Sequence, residues 1–225
     1  MSARDLVVLK VGGASTSGVG EAVAELRAAG ARVVVVHGAG PQISLEMERR
    51  GLEIRFVDGR RVTTPEGLDV VRESLHAVNA AVCAEVGPDA IGLAGDEIGL
   101  SAESVPELGL VGRPLPSRPP AVLATLAAGL VPVVTPLARG PLNVNADEAA
   151  SALAVGIGAA RIQFLTDVPG VFHDGELLGS IEASRAESLI GEGGFEGGIV
   201  PKLVAAVHAA RGGLVAEIGA TAVVA

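Results

Sequence analysis

Two short apolar runs near the start of the chain, each followed by glycines and then by an amphipathic segment, most constrain its fold. Residues 6–9 and 32–37 are mostly aliphatic, which is the pattern of strands buried on both faces of a parallel sheet. Each run leads through a glycine turn into a predicted helix, over residues 21–29 and 42–50, and Gly30 stands where the first helix would end. Repeated strand–turn–helix units indicate an α/β fold.

The alternation continues to the end of the chain. Thr64 followed by Pro65 predicts the start of a long helix, because threonine caps helix N-termini and proline fits the first turn. Further helices are predicted over residues 121–128, 147–155, 184–192 and 202–211. Further strands are predicted over residues 90–93, 131–134, 161–165, 214–218 and 221–224. Residues 95–120 are rich in glycine, proline and serine and are predicted to form short hairpins or loops.

Composition argues against several classes of protein. The formal net charge of −9 disfavours a nucleic-acid-binding surface, which is normally basic. No apolar run approaches the roughly 20 residues of a membrane helix, and the start lacks a signal-peptide pattern, so we expect a cytoplasmic protein. The single cysteine, Cys83, excludes an internal disulfide, and His76, His173 and His208 lack the spacing of metal ligands.

The two lysines of the chain both stand beside glycine turns. Lys10 ends the first predicted strand and is followed by Gly12 and Gly13, while Lys202 follows the glycines of residues 197–198. Glycine lets backbone N–H groups approach a phosphate closely, and lysine adds a mobile positive charge. The alternative interpretation is a tight turn with an exposed lysine, since a glycine motif alone is weak.

A second glycine turn, Gly38-Ala39-Gly40, connects a predicted strand to a helix. A glycine turn before a helix N-terminus suits an anion, although the same pattern occurs in ordinary connections between strands and helices. His37, which ends the strand, is interpreted as a structural hydrogen-bonding group rather than a general base.

Polar residues in two later segments are candidates for binding a carboxylate. Arg60 and Arg61 lie in a predicted turn or hairpin, and at most one of them is expected to face a ligand. Asn143, Asn145 and Asp147 open a predicted helix; one asparagine is enough for a helix cap, so the others are free for a substrate or for holding lysines by charge.

Asp167 follows the predicted strand over residues 161–165. Open α/β sheets bind ligands at the carboxyl ends of their strands, so Asp167 is a candidate nucleotide contact or simply the start of a turn.

Five segments, in order along the chain, resemble the motifs of the amino-acid kinase superfamily and within it those of the acetylglutamate kinases. They are residues 10–13, 37–41, 57–63, 143–147 and 197–202. The resemblance implies a three-layer α/β/α fold with an open, mainly parallel sheet. It implies one domain over residues 1–225, with a substrate lobe of about residues 1–140 and a nucleotide lobe of about residues 141–225.

The implied reaction is ATP-dependent phosphorylation of the γ-carboxylate of N-acetyl-L-glutamate, with Mg²⁺ carried by the phosphates. Lys10, Lys202 and Asp147 would be catalytic, the aspartate orienting both lysines. Arg61 and Asn143 would hold the substrate's α-carboxylate. The resemblance also implies that Gly38, Ala39 and Gly40 contact the substrate. It implies that Gly12, Gly13, Asp167 and Lys202 contact the nucleotide.

The chain departs from the family pattern in several places. Ala39 stands where a glycine is usual, and its methyl group is expected to crowd the acyl end of the substrate. Residues 95–120 look short, and no helix is predicted between the last two strands. Because no helix precedes the first strand, the resemblance implies a homodimer.

Two other functions remain open at this point. One is a kinase for glutamate or aminoadipate attached to an amino-group carrier protein, which the acidity of the chain and the sequence of residues 143–147 disfavour. The other is a non-catalytic ligand-binding protein of the same fold, for which retention of both lysines and Asp147 would be unnecessary.

Overall fold

The computed structural model describes residues 6–13, 17–166 and 168–225 of the chain. Asp167 therefore lies outside the described residues. Eight helices are described: α1 Val19–Ala28, α2 Gly40–Arg49, α3 Pro65–Val86, α4 Gly95–Ile98, α5 Pro120–Ala127, α6 Ala146–Ile157, α7 Ala183–Gly191 and α8 Ile199–Arg211. The strands are β1 Leu6–Val11, β2 Arg32–His37, β3 Phe56–Val57, β4 Arg60–Arg61, β5 Ala90–Leu93, β6 Ser101–Ser104, β7 Val111–Leu115, β8 Val131–Val134, β9 Leu137–Ala138, β10 Leu142–Val144, β11 Arg161–Leu165, β12 Phe172–His173, β13 Glu176–Leu177, β14 Ser180–Glu182, β15 Val215–Ile218 and β16 Thr221–Val224.

An eight-stranded sheet in the order β14-β16-β15-β11-β1-β2-β8-β5 forms the centre of the molecule. The six strands from β15 to β5 run parallel, whereas β16 pairs antiparallel with β15 and β14 follows the direction of β16. Because β1 lies between β2 and β11, the two halves of the chain share one sheet. The boundary between a substrate lobe and a nucleotide lobe stays a prediction.

Helices cover both faces of the sheet, which confirms the predicted three-layer α/β/α fold. On one face, α1, α2 and α3 pack against Val7, Leu9 and Val11 of β1. On the other face, α5 to α8 pack against Leu6 and Val8. Successive side chains of a strand point to opposite faces, so Lys10 lies on the face of Leu6 and Val8, which α6 covers.

Several local predictions agree with the structure. Gly30 has φ +87° just after α1, and the Thr64 hydroxyl accepts a hydrogen bond from Gly67 N (3.0 Å) at the start of α3. Within residues 95–120, β6 and β7 pair antiparallel as a hairpin, as predicted, but residues 95–98 form the short helix α4 rather than a loop. A tight turn without a helix joins β15 to β16, as expected.

The predicted start of α8 at Lys202 is wrong, because the helix begins at Ile199. Pro201 does not interrupt it, since the first turn of a helix has no intrahelical partner for its N–H groups. Lys202 therefore lies in the first turn of a helix rather than in the loop before it. The short strands β9, β10 and β12 to β14 were not predicted from the sequence.

Candidate active site

A cavity of about 340 Å³ opens where β1, β2 and β8 end at their carboxyl edge. The first turns of α2 and α6 line it, together with the β3–β4 hairpin and Lys202 of α8. Every predicted site residue that the structure describes lies on its wall: Lys10, Gly12, Gly13, Gly38, Ala39, Gly40, Arg61, Asn143, Asp147 and Lys202. The fold therefore brings together residues that lie far apart along the chain.

Lys10 and Asp147 form a buried ion pair at the base of the cavity. The Lys10 Nζ lies 2.7 Å from Asp147 Oδ1, and the two side chains are 6% and 12% exposed. Asp147 occupies the first turn of α6, where the helix dipole favours a negative charge. The pair holds the ammonium of Lys10 in a fixed position at the end of β1.

The two glycine turns touch each other on one wall of the cavity. A methyl group added at Gly13 would lie 2.8 Å from both Ala39 Cα and Gly40 N, so only glycine allows this approach. The Gln42 amide donates to Gly13 O at 2.6 Å, and Gly38 N donates to Val11 O at 3.0 Å. The paired turns thereby bring backbone N–H groups and the start of α2 to the cavity, an arrangement that suits an anion.

Ala39 is 2% exposed and belongs to the core beneath α2, together with Ile43 and Met47. Its methyl group is thus largely enclosed in the protein, although the residue also contributes to the cavity wall. This placement weakens the expectation that the methyl group crowds a substrate.

Arg61 brings a buried positive charge to the cavity. Its guanidinium donates to Ser44 Oγ at 2.8 Å and Gly40 O at 3.2 Å, and it stacks 4.5 Å above the Phe56 ring. No acidic side chain of the described residues pairs with it, and burial lowers the pKa of Arg61 below its ordinary value. A buried arginine with neutral partners is suited to receive an anionic ligand.

The two asparagines of β10 and α6 have different contacts. Asn143 Nδ2 donates to Thr63 Oγ1 at 3.0 Å, which leaves its second N–H for a ligand. Asn145 caps α6, because its Oδ1 accepts from Asp147 N at 2.9 Å and Glu148 N at 3.2 Å. Its Nδ2 also donates to Gly59 O at 3.1 Å, so it is more than a cap.

Lys202 is partly exposed on the cavity wall. Its Nζ donates to Gly198 O at 3.4 Å, a long contact that leaves the ammonium two further N–H groups. Lys10 is rigidly paired, whereas Lys202 extends from the first turn of α8.

Sequence reasoning missed three residues at this site. Phe56 stacks on Arg61, buried Thr63 supports Asn143, and Glu148 pairs with Arg60. Of the two adjacent arginines, Arg61 has no acidic partner among the described residues, whereas Arg60 pairs with Glu148. Both line the cavity, so the expectation that at most one faces a ligand stays a prediction. No local sequence signal marks the partner of Arg60, because Glu148 lies 88 residues away along the chain.

His37 is a buried, neutral hydrogen-bonding residue, as interpreted from the sequence. Asn79 Nδ2 lies 3.0 Å from its Nε2, and its Nδ1 lies 3.3 Å from Gly38 O. Burial lowers the pKa of His37 from 6.5 to about 4. The ring thus joins the glycine turn at 38–40 to α3 in the uncharged form.

This pKa predicts a loss of stability in mild acid. The unfolded chain takes up a proton below about pH 6.5, whereas the folded protein resists it until about pH 4. Stability is therefore fully present above pH 6.5 and falls as the pH drops, by about 2–3 kcal/mol between pH 7.5 and 4.5. Urea unfolding at both pH values checks this. His37→Gln should lose this component, and parallel pH profiles of the two proteins would contradict it.

Neither a metal cage nor a membrane helix is present in the described part of the chain. No three His, Cys, Asp or Glu side chains of residues 6–13, 17–166 and 168–225 are placed to hold a metal ion together. None of the described helices has both the length and the apolar character needed to cross a membrane.

Curated relatives of this chain carry the name acetylglutamate kinase, among them proteins from Rubrobacter xylanophilus and Frankia casuarinae. The protein from Rubrobacter xylanophilus is 40% identical over 221 residues, covering 94% of this chain and 87% of that protein. The protein from Frankia casuarinae is 42% identical over 210 residues, covering 84% of this chain and 58% of that protein. The chain thus spans less than two thirds of the Frankia protein.

Similarity extends to the whole fold. The crystal structure of smu.665 from Streptococcus mutans superposes with a TM-score of 0.86 at 23% identity, covering 98% of this chain and 99% of that one. The sequence model of the amino acid kinase family matches residues 5–219, which is nearly the full chain. This chain therefore belongs to the amino acid kinase family.

Proposed function

We propose that the protein phosphorylates the γ-carboxylate of N-acetyl-L-glutamate with ATP, as a step of arginine biosynthesis. The observation that carries the proposal is one cavity with cationic groups at two places: the Lys10 ammonium, which pairs with Asp147, and the buried Arg61 guanidinium, which has no acidic partner among the described residues. An acidic amino acid has two carboxylates, one for each of these two places. The names of the two relatives support the same substrate.

In this proposal Arg61 and Asn143 hold the α-carboxylate, which directs the γ-carboxylate toward Lys10. That carboxylate is ionised at neutral pH because its reference pKa is near 4, so no general base is required. One of its oxygens attacks the γ-phosphorus of ATP, the bond to the bridging oxygen breaks, and ADP leaves. Lys10, Lys202 and the backbone amides of the glycine turns stabilise the negative charge on the transferred group.

Asp147 would orient Lys10 by the ion pair already described. Its proposed second role, orienting Lys202, has no contact in the present structure to support it, so it stays an expectation from the family. Asp167, expected on the ATP side, lies outside the described residues. Gly12 and Gly13 are proposed to face the ATP phosphates.

Mg²⁺ fits this site as a partner of the ATP phosphates. Asp147 is the one carboxylate among the described residues of the cavity wall, and it already pairs with Lys10. A dedicated cage is not required, because Mg²⁺ is commonly held by substrate phosphates and water. When bound, the ion would neutralise part of the phosphate charge.

A coupled assay of ADP release tests the proposal. N-acetyl-L-glutamate should support turnover, and free glutamate, aspartate and UMP should not. Turnover only with glutamate or aminoadipate attached to a carrier protein would replace the proposed acceptor. Absence of turnover with every acceptor, carrier-bound ones included, would favour a ligand-binding protein.

Replacement of Lys202 separates its two proposed roles. Lys202→Ala should lower kcat about a hundredfold with little change in the KM for ATP, because the charge it stabilises develops in the transition state. Steady-state kinetics with varied ATP measures both constants. A rise in KM with kcat unchanged would reassign Lys202 to ground-state binding of ATP.

A homodimer and a cytoplasmic location stay predictions for this chain. Light scattering after size-exclusion chromatography measures the first directly.

A further inference from the structure

The β3–β4 hairpin is fastened to the start of α6 by contacts that the proposed reaction does not use. Arg60 Nη2 donates to Glu148 Oε1 at 2.7 Å, and Arg60 Nε donates to Glu148 Oε2 at 3.2 Å. The two side chains are only 17% and 20% exposed. Together with the Asn145 Nδ2 contact to Gly59 O (3.1 Å), this bidentate pair forms what we call the polar clasp.

Each partner of the clasp is the neighbour of a site residue. Arg60 directly precedes Arg61 on the hairpin, and Glu148 directly follows Asp147 on α6. The clasp therefore joins the element that carries the buried guanidinium to the element that carries the partner of Lys10.

The hairpin has little of its own to hold it in place. Its strands are two residues each, joined by a tight turn at Asp58 and Gly59 with φ of +48° and +74°. A two-stranded hairpin of this size is not stable in isolation. Its exposed face includes Phe56, 53% exposed. The contacts to α2, the clasp, and the backbone hydrogen bonds of Thr63 with Leu108 and Leu110 just after β4 fix its position.

We propose that the Arg60–Glu148 pair is a positioning pair for the amino-acid substrate, holding Arg61 over the cavity. This inference rests on the proposed function. Without the pair, the hairpin would hold Arg61 over the cavity for only part of the time. The apparent dissociation constant of the acceptor is the intrinsic one divided by the fraction of molecules with the hairpin in this position. A fraction of about one tenth therefore raises the KM for the acceptor about tenfold. ATP binding, assigned to the glycine turns, would be affected little.

The experiment compares Arg60→Gln, Glu148→Gln and the double variant with the wild type. Each single change should raise the KM for N-acetyl-L-glutamate about tenfold, with kcat and the KM for ATP within about threefold. The double variant should be no more than about twofold worse than either single one, because both changes remove the same pair. Arg60→Lys, which keeps the charge but not the bidentate contact, should give an intermediate KM.

Arg113→Gln is the matched control. Arg113 pairs with Glu103 at 3.7 Å on the surface, with side chains 58% and 65% exposed, so its replacement should change neither KM. Amide hydrogen exchange of residues 56–62 gives a readout without turnover: exchange should be faster in Arg60→Gln and Glu148→Gln than in the wild type and the control.

The outcomes separate this inference from the proposed function. The positioning role is overturned if the wild type phosphorylates N-acetyl-L-glutamate and the clasp variants have the same KM for this acceptor as the wild type. A loss of thermal stability without a change in this KM overturns it in the same way. Equal rises in both KM values would overturn it as well. If the wild type does not phosphorylate this acceptor, the proposed function fails, and the hydrogen-exchange data then test the clasp. Faster exchange of residues 56–62 in the variants supports the clasp, and unchanged exchange overturns it.

Discussion

Replacing Lys10 with Met is expected to lower kcat about a thousandfold and to destabilise the protein at the same time. The catalytic loss follows from removing a charge that stabilises the transferred phosphoryl group. The stability loss follows from burial: Asp147, whose side chain is 12% exposed, would be left without its partner 2.7 Å away. Breaking a buried pair from one side costs about 3–5 kcal/mol. Steady-state kinetics and urea unfolding measure the two effects.

A double variant separates the catalytic loss from the stability loss. Lys10→Met with Asp147→Asn removes both charges, so most of the unfolding free energy should return, since a buried pair replaced by neutral groups is often close to neutral. Activity should stay low, because the phosphoryl group still lacks its cation. If the double variant regained activity, the loss in Lys10→Met would be due to misfolding and not to chemistry. A Lys10→Met protein with normal kcat would remove Lys10 from the mechanism.

Arg61→Gln is expected to raise the KM for N-acetyl-L-glutamate about a hundredfold, with kcat and the KM for ATP much less affected. Two charge-assisted hydrogen bonds to the α-carboxylate would be lost, each of the order of 1.5–3 kcal/mol before the remaining contacts adjust. The unfolding free energy should stay within about 1 kcal/mol of the wild type, because the variant also removes a buried cation that has no acidic partner. Kinetics with each substrate varied in turn, and urea unfolding, check both expectations.

Two results would contradict this role of Arg61. A fall in kcat at saturating acceptor would place Arg61 near the transferred group. An equal rise in both KM values would indicate that the hairpin as a whole had been displaced. Arg113→Gln, which removes an exposed arginine far along the chain, is the control for a general effect of lost charge.

Much of the fold could be predicted because its signals are local. The aliphatic runs of β1 and β2 predict strands buried on both faces, and Thr64 with Pro65 predicts the start of α3 by hydrogen-bonding chemistry within one turn. Strands β9 and β10 could not be predicted, since two or three residues carry no periodicity. They exist because β7 supplies hydrogen bonds to β10, which in turn pairs with β9.

The candidate site, too, could be predicted from the sequence only in part. The sequence by itself determined the types of group available: two lysines beside glycines, adjacent arginines, and asparagines with an aspartate at a helix start. Only the tertiary structure decided which of them meet. It brought Asp147 to Lys10, gave Arg60 an acidic partner in Glu148 and left Arg61 with none among the described residues. The physical reason is that backbone preferences act over a few residues, whereas an ion pair between side chains 88 or more positions apart depends on how the sheet and helices pack.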